Sequence, residues 1–448
     1  MDSVVKNDKM ENVENKYKKG RYKKDKLFFM IVFFLWAGMA TPLVKFYSSE
    51  FPFILVINLL FLFYFYIKYK SNKIKKLFHF WGILILWYAL ICLKYSGIQK
   101  TDFTLFYSAL IAFVGIGIFP KIREFFLYYE KVVIFLCLLS LIVWGSVSIF
   151  PAMAKVYDAL AIYKTDGLVN SSFILVGYGH QMAGVFHRNL GFAWEAGRFA
   201  SFIVFGIFIN LHNHNLDINF IKNRSLWILI ITLITTFSTT GFVVLAGVLL
   251  FYFYNKSVYS KLILLIIGVL IFPSVIALPF IGDKILENLD YNQEIDNMMF
   301  SFTEWGTISI TPQRITGFYL EIQNFLHDPL LGYNINENSY MMKNLFKGFD
   351  VWLSDGILQI FSKYGLIIGL YFYYNLFRTS SYVSKVYQMK GKYFLALVFL
   401  LMSFSYDFWG TGLFFYITFY KFFNSKKGYN NESRSYCNNC CIQCRGND

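Results

Sequence analysis

Residues 226–254 read LWILIITLITTFSTTGFVVLAGVLLFYFY, and how this run is divided decides the topology of the chain. As one long helix it would place the following stretch, 281–353, on the same side as the basic loops. That stretch carries ten acidic and four basic residues, the opposite of the short basic connections. As two short helices broken at Ser238-Thr239-Thr240-Gly241, the charge pattern is restored. Ser and Thr side chains can bond freed backbone groups, and Gly supplies the flexibility for such a break. The sequence therefore predicts a hairpin here.

Working outward, the whole chain alternates between apolar runs and short basic connections. Of its 448 residues 56% are hydrophobic and 15% are charged, against about 25% charged in soluble domains. A helix needs about 20 residues to cross the hydrocarbon core, and all-round apolar helices of this number have no place in a water-soluble fold. The expected fold is all-α and polytopic, with about twelve transmembrane helices. They fall at 27–44, 51–67, 77–93, 103–119, 132–150, 196–211, 226–237, 240–254, 261–280, 354–376, 393–407 and 408–423.

The charges orient this map. Residues 1–26 hold nine Lys/Arg against five Asp/Glu, and cytoplasmic segments carry the basic excess. Both termini are then expected in the cytoplasm, with 27–423 as the membrane domain and 424–448 as a Cys-containing tail. The connections holding Lys68 to Lys76, Lys121 and Arg123, Lys222 and Arg224, Lys256, and Arg378 to Lys392 fall on the same side. Two large loops, about 151–195 and 281–353, fall outside. The net charge of +15 is spread over these connections, which argues against a nucleic-acid partner. The polar, Lys-rich residues before the first apolar run do not resemble a cleavable signal. Cys437, Cys440, Cys441 and Cys444 form two abutting C-x-x-C knuckles. Zinc normally requires a longer spacer, so a zinc site and a dispensable tail both remain open. No metal site or cofactor is expected in the membrane domain.

Walker loops, H-E-x-x-H and G-x-S-x-G are absent from the sequence, so motif-based nucleotide or Ser-His-Asp hydrolysis is a poor fit. The ionisable residues that remain cluster at the expected outer edge. Arg188, Glu195 and Arg198 precede one span. They read either as interfacial anchors with a local ion pair or as a seat for an anionic headgroup, in which Glu195 orients an arginine. Arg314 reads as a snorkelling anchor or as a third phosphate contact. His327, in a Pro-Gly turn, reads as a packing residue or a base. Ser354 and Asp355 open another span, where Asp355 is either a helix cap or a general base. Lys363 lies about 12 Å further in, at 1.5 Å rise per residue.

Four segments resemble one family. FHRNLGFAWEAGRFASF (186–202) is similar to the R-x-x-G-x-x-x-E-x-G-x-F-A stretch of bacterial O-antigen and capsule polymerases, in the O-antigen ligase/polymerase superfamily. LITTFSTTGFVVLAG (233–247) resembles their S-T-T-G hairpin. FLHDPLLGYNINENS (325–339) resembles their P-L-x-G-x-G turn, and LSDGILQIFSKYGLIIG (353–369) the span that follows it. The order and spacing agree over roughly 186–370. Ala196 stands where a Pro is common, and Tyr333-Asn334 replaces the second Gly of the turn. The ligase branch has a His near the position of Asp355, which favours a polymerase.

The resemblance implies a metal-independent, inverting glycosyltransferase of the bacterial cytoplasmic membrane. It would polymerise undecaprenyl-pyrophosphate-linked oligosaccharide repeat units into O-antigen or capsule. Asp355 and Glu195 would be catalytic, with pyrophosphate held by Arg188, Arg198 and Arg314. Membrane lipids, a chain-length regulator and a flippase would be its neighbours. The alternatives are an O-antigen ligase, a polysaccharide or lipid transporter, and a non-catalytic scaffold. Twelve spans suit a transporter equally well; a large acidic outer loop and few intramembrane charges suit it less.

Overall fold

A computed structural model describes residues 23–34, 53–69, 74–96, 104–150, 152–160, 171–173, 176–182, 186–193, 195–219, 221–256, 301–302, 308–310, 314–335, 338–344, 350–351, 353, 356–403 and 411–424. The expected run at 261–280, Asp355 and the four tail cysteines lie outside the described residues.

The described chain is mostly helical. Residues 23–34 form α1, followed by α2 (Phe53–Tyr69), α3 (Ile74–Lys94), α4 (Thr104–Ile118), α5 (Ile122–Ile149) and the short α6 (Ala152–Ala159). Next come α7 (Ala196–Asn213), α8 (Arg224–Thr235), α9 (Thr239–Asn255), α10 (Arg314–His327) and α11 (Tyr340–Asn344). The last three are α12 (Gly356–Tyr387), α13 (Phe394–Ser403) and α14 (Gly412–Phe423). Among the described residues α3, α5 and α12 are long and apolar enough to cross a membrane. Exposed apolar side chains continue over the helix surfaces, such as Phe78, Ile85, Leu86 and Leu93 on α3. A surface of that kind suits lipid rather than water.

The stretch that decides the topology is a hairpin. α8 ends at Thr235 and α9 begins at Thr239, with Ser238 as its N-cap. The Ser238 side chain accepts from the Gly241 N–H at 3.2 Å, which satisfies one of the first-turn donors a new helix leaves open. Both helices pack on α7, in opposite senses. Asn210 and Asn223 bond each other between α7 and α8, while Phe208 and Phe251 meet at 4.9 Å between α7 and α9. Gly241 permits the close approach at the break, since a Cβ there would lie 2.7 Å from the Ala200 Cβ.

The helix ends sort into two groups. At one end Lys26 pairs with Glu124 at 2.7 Å and Lys68 with Asp25 at 2.6 Å. There also Lys76 donates to the Phe422 carbonyl at 2.8 Å, and the Tyr387 hydroxyl to Asn213 at 3.0 Å. The basic connections thus gather on one face of the bundle. Buried Glu130 accepts from Asn210 at 2.6 Å and Asn213 at 2.7 Å, tying α5 to α7. At the opposite end Trp87 donates to the Leu331 carbonyl at 2.9 Å and Trp144 to the His187 carbonyl at 2.6 Å.

That opposite end departs from an all-helical chain. Within 151–195, β1 (Ser171–Phe173), β2 (Val176–Met182) and β3 (Phe186–Gly191) form an antiparallel sheet in the order β1-β2-β3. Within 281–353, β4 (Ser301–Phe302), β5 (Ile308–Ile310) and β6 (Asp350–Val351) form a second one, with β5 and β6 parallel. Both lie in the segments expected as large loops. Their strands have two to seven residues, too short for a hydropathy window to register, and pairing lets this loop backbone satisfy its own hydrogen bonds.

Candidate functional site

The segments at this end dock in two pairs. In the first, β3 lies against α5 and α7 and meets the α8–α9 break. Fully buried Asn189 makes the junction: its amide donates to Thr235 Oγ1 at 2.9 Å and to Ser140 Oγ at 3.2 Å. Its oxygen accepts from the Gly191 N–H at 3.0 Å. Gly191 has φ +54°, and a Cβ there would strike the Phe199 ring at 2.3 Å. The strand can therefore turn into α7 only with glycine at this point. Next to Asn189, Arg188 is half-buried, and its Nε donates to the Thr236 carbonyl at 3.4 Å.

The turn from β3 into α7 sets Glu195 and Arg198 apart. Glu195 is the N-cap residue, exposed, and its side chain makes no capping hydrogen bond. Arg198 stands in the first turn of α7 and is 5% exposed. Among the described residues no ion pair joins the two, so the ion pair weighed for these residues does not form. The reason is local: the cap position is extended, at φ −140°, outside the helical face that three-residue spacing presupposes. Buried Arg198 is a cation at the positive end of a helix dipole, a place that favours anions. Arg188 and Arg198 thus flank the same strand-to-helix turn.

In the second pair, the turn after α10 docks into a kink of α12. Gly365 has φ 80° and ψ 170°, which interrupts α12 and frees its backbone groups. Tyr333 N donates to Ser362 O at 3.0 Å, Asn334 N to Lys363 O at 2.9 Å, and Leu366 N to Pro329 O at 2.8 Å. Gly332, at φ +75°, lies so close that a Cβ would be 2.5 Å from the Lys363 carbonyl. Beneath this junction Glu321 of α10 is fully buried and accepts from the Ser362 hydroxyl, and from the Tyr333 hydroxyl at 3.4 Å. Lys94 pairs with Asp328 and also donates to the Gly332 carbonyl at 3.2 Å. Burial pushes the neighbouring Tyr95 phenol above its ordinary range, which keeps it protonated. His327 stacks on Tyr340 at 3.5 Å, a packing role. Lys363 is half-buried, with its ammonium 5.5 Å from the Tyr364 ring centroid.

The sequence-predicted residues therefore divide. Arg188, Glu195 and Arg198 lie around one turn. Arg314 opens α10, but its side chain, like Asp355 as a whole, is outside the described residues. Asn189, Glu321 and Ser362 were missed. Glu321 had only a weak signal: it shares the buried face of α10 with polar Thr316 and Asn324 and one apolar residue, Leu320, and a buried acid is expensive unless it is bonded. Among the described residues no three His, Cys, Asp or Glu side chains converge to hold a metal ion.

Neither a family model nor a curated protein matches the chain.

Proposed function

We propose that the chain polymerises lipid-linked oligosaccharide repeat units at the outer face of a bacterial cytoplasmic membrane, by inverting glycosyl transfer. In this reading it crosses the bilayer about twelve times with both termini inside. The basic face of the bundle is cytoplasmic, and the two sheets and docked turns lie outside. The observation that carries the reading is the turn from β3 into α7, where half-buried Arg188 and buried Arg198 flank one helix N-terminus.

The reaction needs what such a site supplies. The acceptor hydroxyl gives its proton to a base, for which Asp355 is the candidate. The oxygen attacks the anomeric carbon, and the bond to the pyrophosphate oxygen breaks on the opposite face. Undecaprenyl pyrophosphate then leaves with the electron pair. Stabilising that leaving group is the largest expected contribution. Arg188, Arg198 and Arg314 are the candidates for it, since the planar guanidinium donates two parallel bonds to phosphate. Glu195, exposed at the helix cap, is the candidate for orienting the acceptor. The lipid tails of both substrates remain in the bilayer, beside the apolar helix surfaces.

The test is the glycan ladder of cells with and without the gene. A polymerase leaves single repeat units on surface lipid when removed, and the ladder returns with the gene. Intermediates trapped inside the cell identify a transporter and overturn the reading; an unchanged ladder overturns it as well.

A further inference from the structure

At the basic end of the bundle, α12 passes to α13 through residues 388–393, and a cavity of about 810 Å³ opens beside this turn. Pockets for small molecules run to about 300–1,000 Å³. One wall is apolar, made by Phe377, Phe394, Leu397 and the ring of Tyr254; Lys392 and Ser384 stand at the polar edge.

The turn is held firmly. Ser384 Oγ donates to Met389 O at 2.6 Å, and Met389 N to Ser384 O at 3.0 Å. Asn255 of α9 brackets Lys390, accepting from its N–H at 2.6 Å and donating to its carbonyl at 3.2 Å. Ser380 Oγ donates to Lys392 O at 2.9 Å. Gly391, at φ +83°, closes the turn where any Cβ would strike Phe394 at 2.3 Å. From this fixed backbone Lys385, Lys390 and Lys392 project into solvent. Among the described residues none of the three is in an ion pair. The sequence from 356 to 406 contains no Asp or Glu at all. Lys392 therefore stands at the edge of an apolar cavity, with the exposed Lys385 and Lys390 on the neighbouring stretch of the chain.

We propose that this cavity holds one anionic phospholipid, with its phosphate at Lys392, beside the exposed Lys390 of the same turn, and an acyl chain along Phe377, Phe394 and Leu397. Charge complementarity selects the occupant. A zwitterionic lipid would bring its own cation beside the lysines and cancel the charge of its phosphate, and a soluble phosphate would leave the apolar wall bare. Basic pockets between helices at the cytoplasmic leaflet take anionic headgroups in this way. The inference requires that the chain resides in a membrane, but it does not depend on the polymerase reading.

The test is native mass spectrometry of the full chain in detergent. It is titrated with phosphatidylglycerol and, separately, with phosphatidylcholine of the same acyl chains. One phosphatidylglycerol is expected to be retained in preference to phosphatidylcholine. Lys390→Ala and Lys392→Ala should each weaken retention about fivefold, the factor matching about 1 kcal/mol per basic residue near anionic lipid. Lys390→Arg and Lys392→Arg should keep it. Leu397→Trp, which fills the apolar part and spares the lysines, should also reduce it. Thermal melting of each variant separates lipid loss from unfolding. Equal retention of the two lipids overturns the proposal. So does full retention by the Lys390→Ala/Lys392→Ala double variant, or displacement by inorganic phosphate with no effect of Leu397→Trp.

Discussion

Replacing Gly365 with alanine should undock the α10–α12 turn. Gly365 holds φ 80° and ψ 170°, a region essentially confined to glycine, and forcing another residue into it costs about 1–3 kcal/mol. A Cβ would sit 2.1 Å from the Leu330 carbonyl oxygen, so the turn must also move away. Three backbone hydrogen bonds, Tyr333 to Ser362, Asn334 to Lys363 and Leu366 to Pro329, cross the junction. Each contributes about 0.5–1.5 kcal/mol. Losing two of them on top of the strain gives about 2–6 kcal/mol of local destabilisation. At 1.4 kcal/mol per tenfold, amide protection of the turn should fall about 30-fold or more. Hydrogen–deuterium exchange in detergent, followed on peptides covering 329–335 and 362–367, measures this directly. Gly82→Ala in α3 is the control, because a Cβ at Gly82 meets nothing within 4 Å. Unchanged exchange of both peptides in Gly365→Ala would refute the docking described here.

On the polymerase reading, Arg188→Lys, Arg198→Lys and Arg314→Lys should each lose about 2–4 kcal/mol of transition-state stabilisation, by analogy with a lost oxyanion donor. Glu195→Gln should be milder; chain length from purified lipid-linked repeat units at matched protein levels is the assay, and near-normal turnover in all three Lys variants would dismiss the arginine seat. Glu321→Ala should cost about 1–3 kcal/mol for the hydroxyls it leaves without their acceptor, whereas Glu321→Gln retains an acceptor and should cost less; thermal melting in detergent ranks them, and equal melting of the two variants contradicts the buried network. Asp355→Asn should abolish polymerisation at unchanged abundance if the residue is a base, and preserve chain length if it is only a cap, since Asn caps as well as Asp.

α6 and α10 form inside the segments expected as loops, and α5 starts at Ile122 rather than at 132, but the sequence alone determined most other apolar helices of the described residues and which connections share a face. Both follow from properties that are local and additive along the chain: apolar runs of helical length, and Lys/Arg clusters between them. It also located the break at Ser238, because the acidic balance of 281–353 excluded one uninterrupted helix, and Ser238 does cap α9. Pairing was not legible. Nothing in the composition of RNLG shows that Asn189 reaches Thr235, 46 residues on, or that Glu321 bonds Ser362, 41 residues away. Those contacts depend on which helix faces meet. The Glu195–Arg198 expectation failed for the same reason, since spacing predicts a shared face only inside a helix, and the helix begins between them. Nothing in the sequence separates Gly365 from the other glycines of the apolar spans, yet the turn at Gly332 sits inside its kink. Only tertiary structure, by bringing two backbones within van der Waals contact, decides that neither position can carry a Cβ.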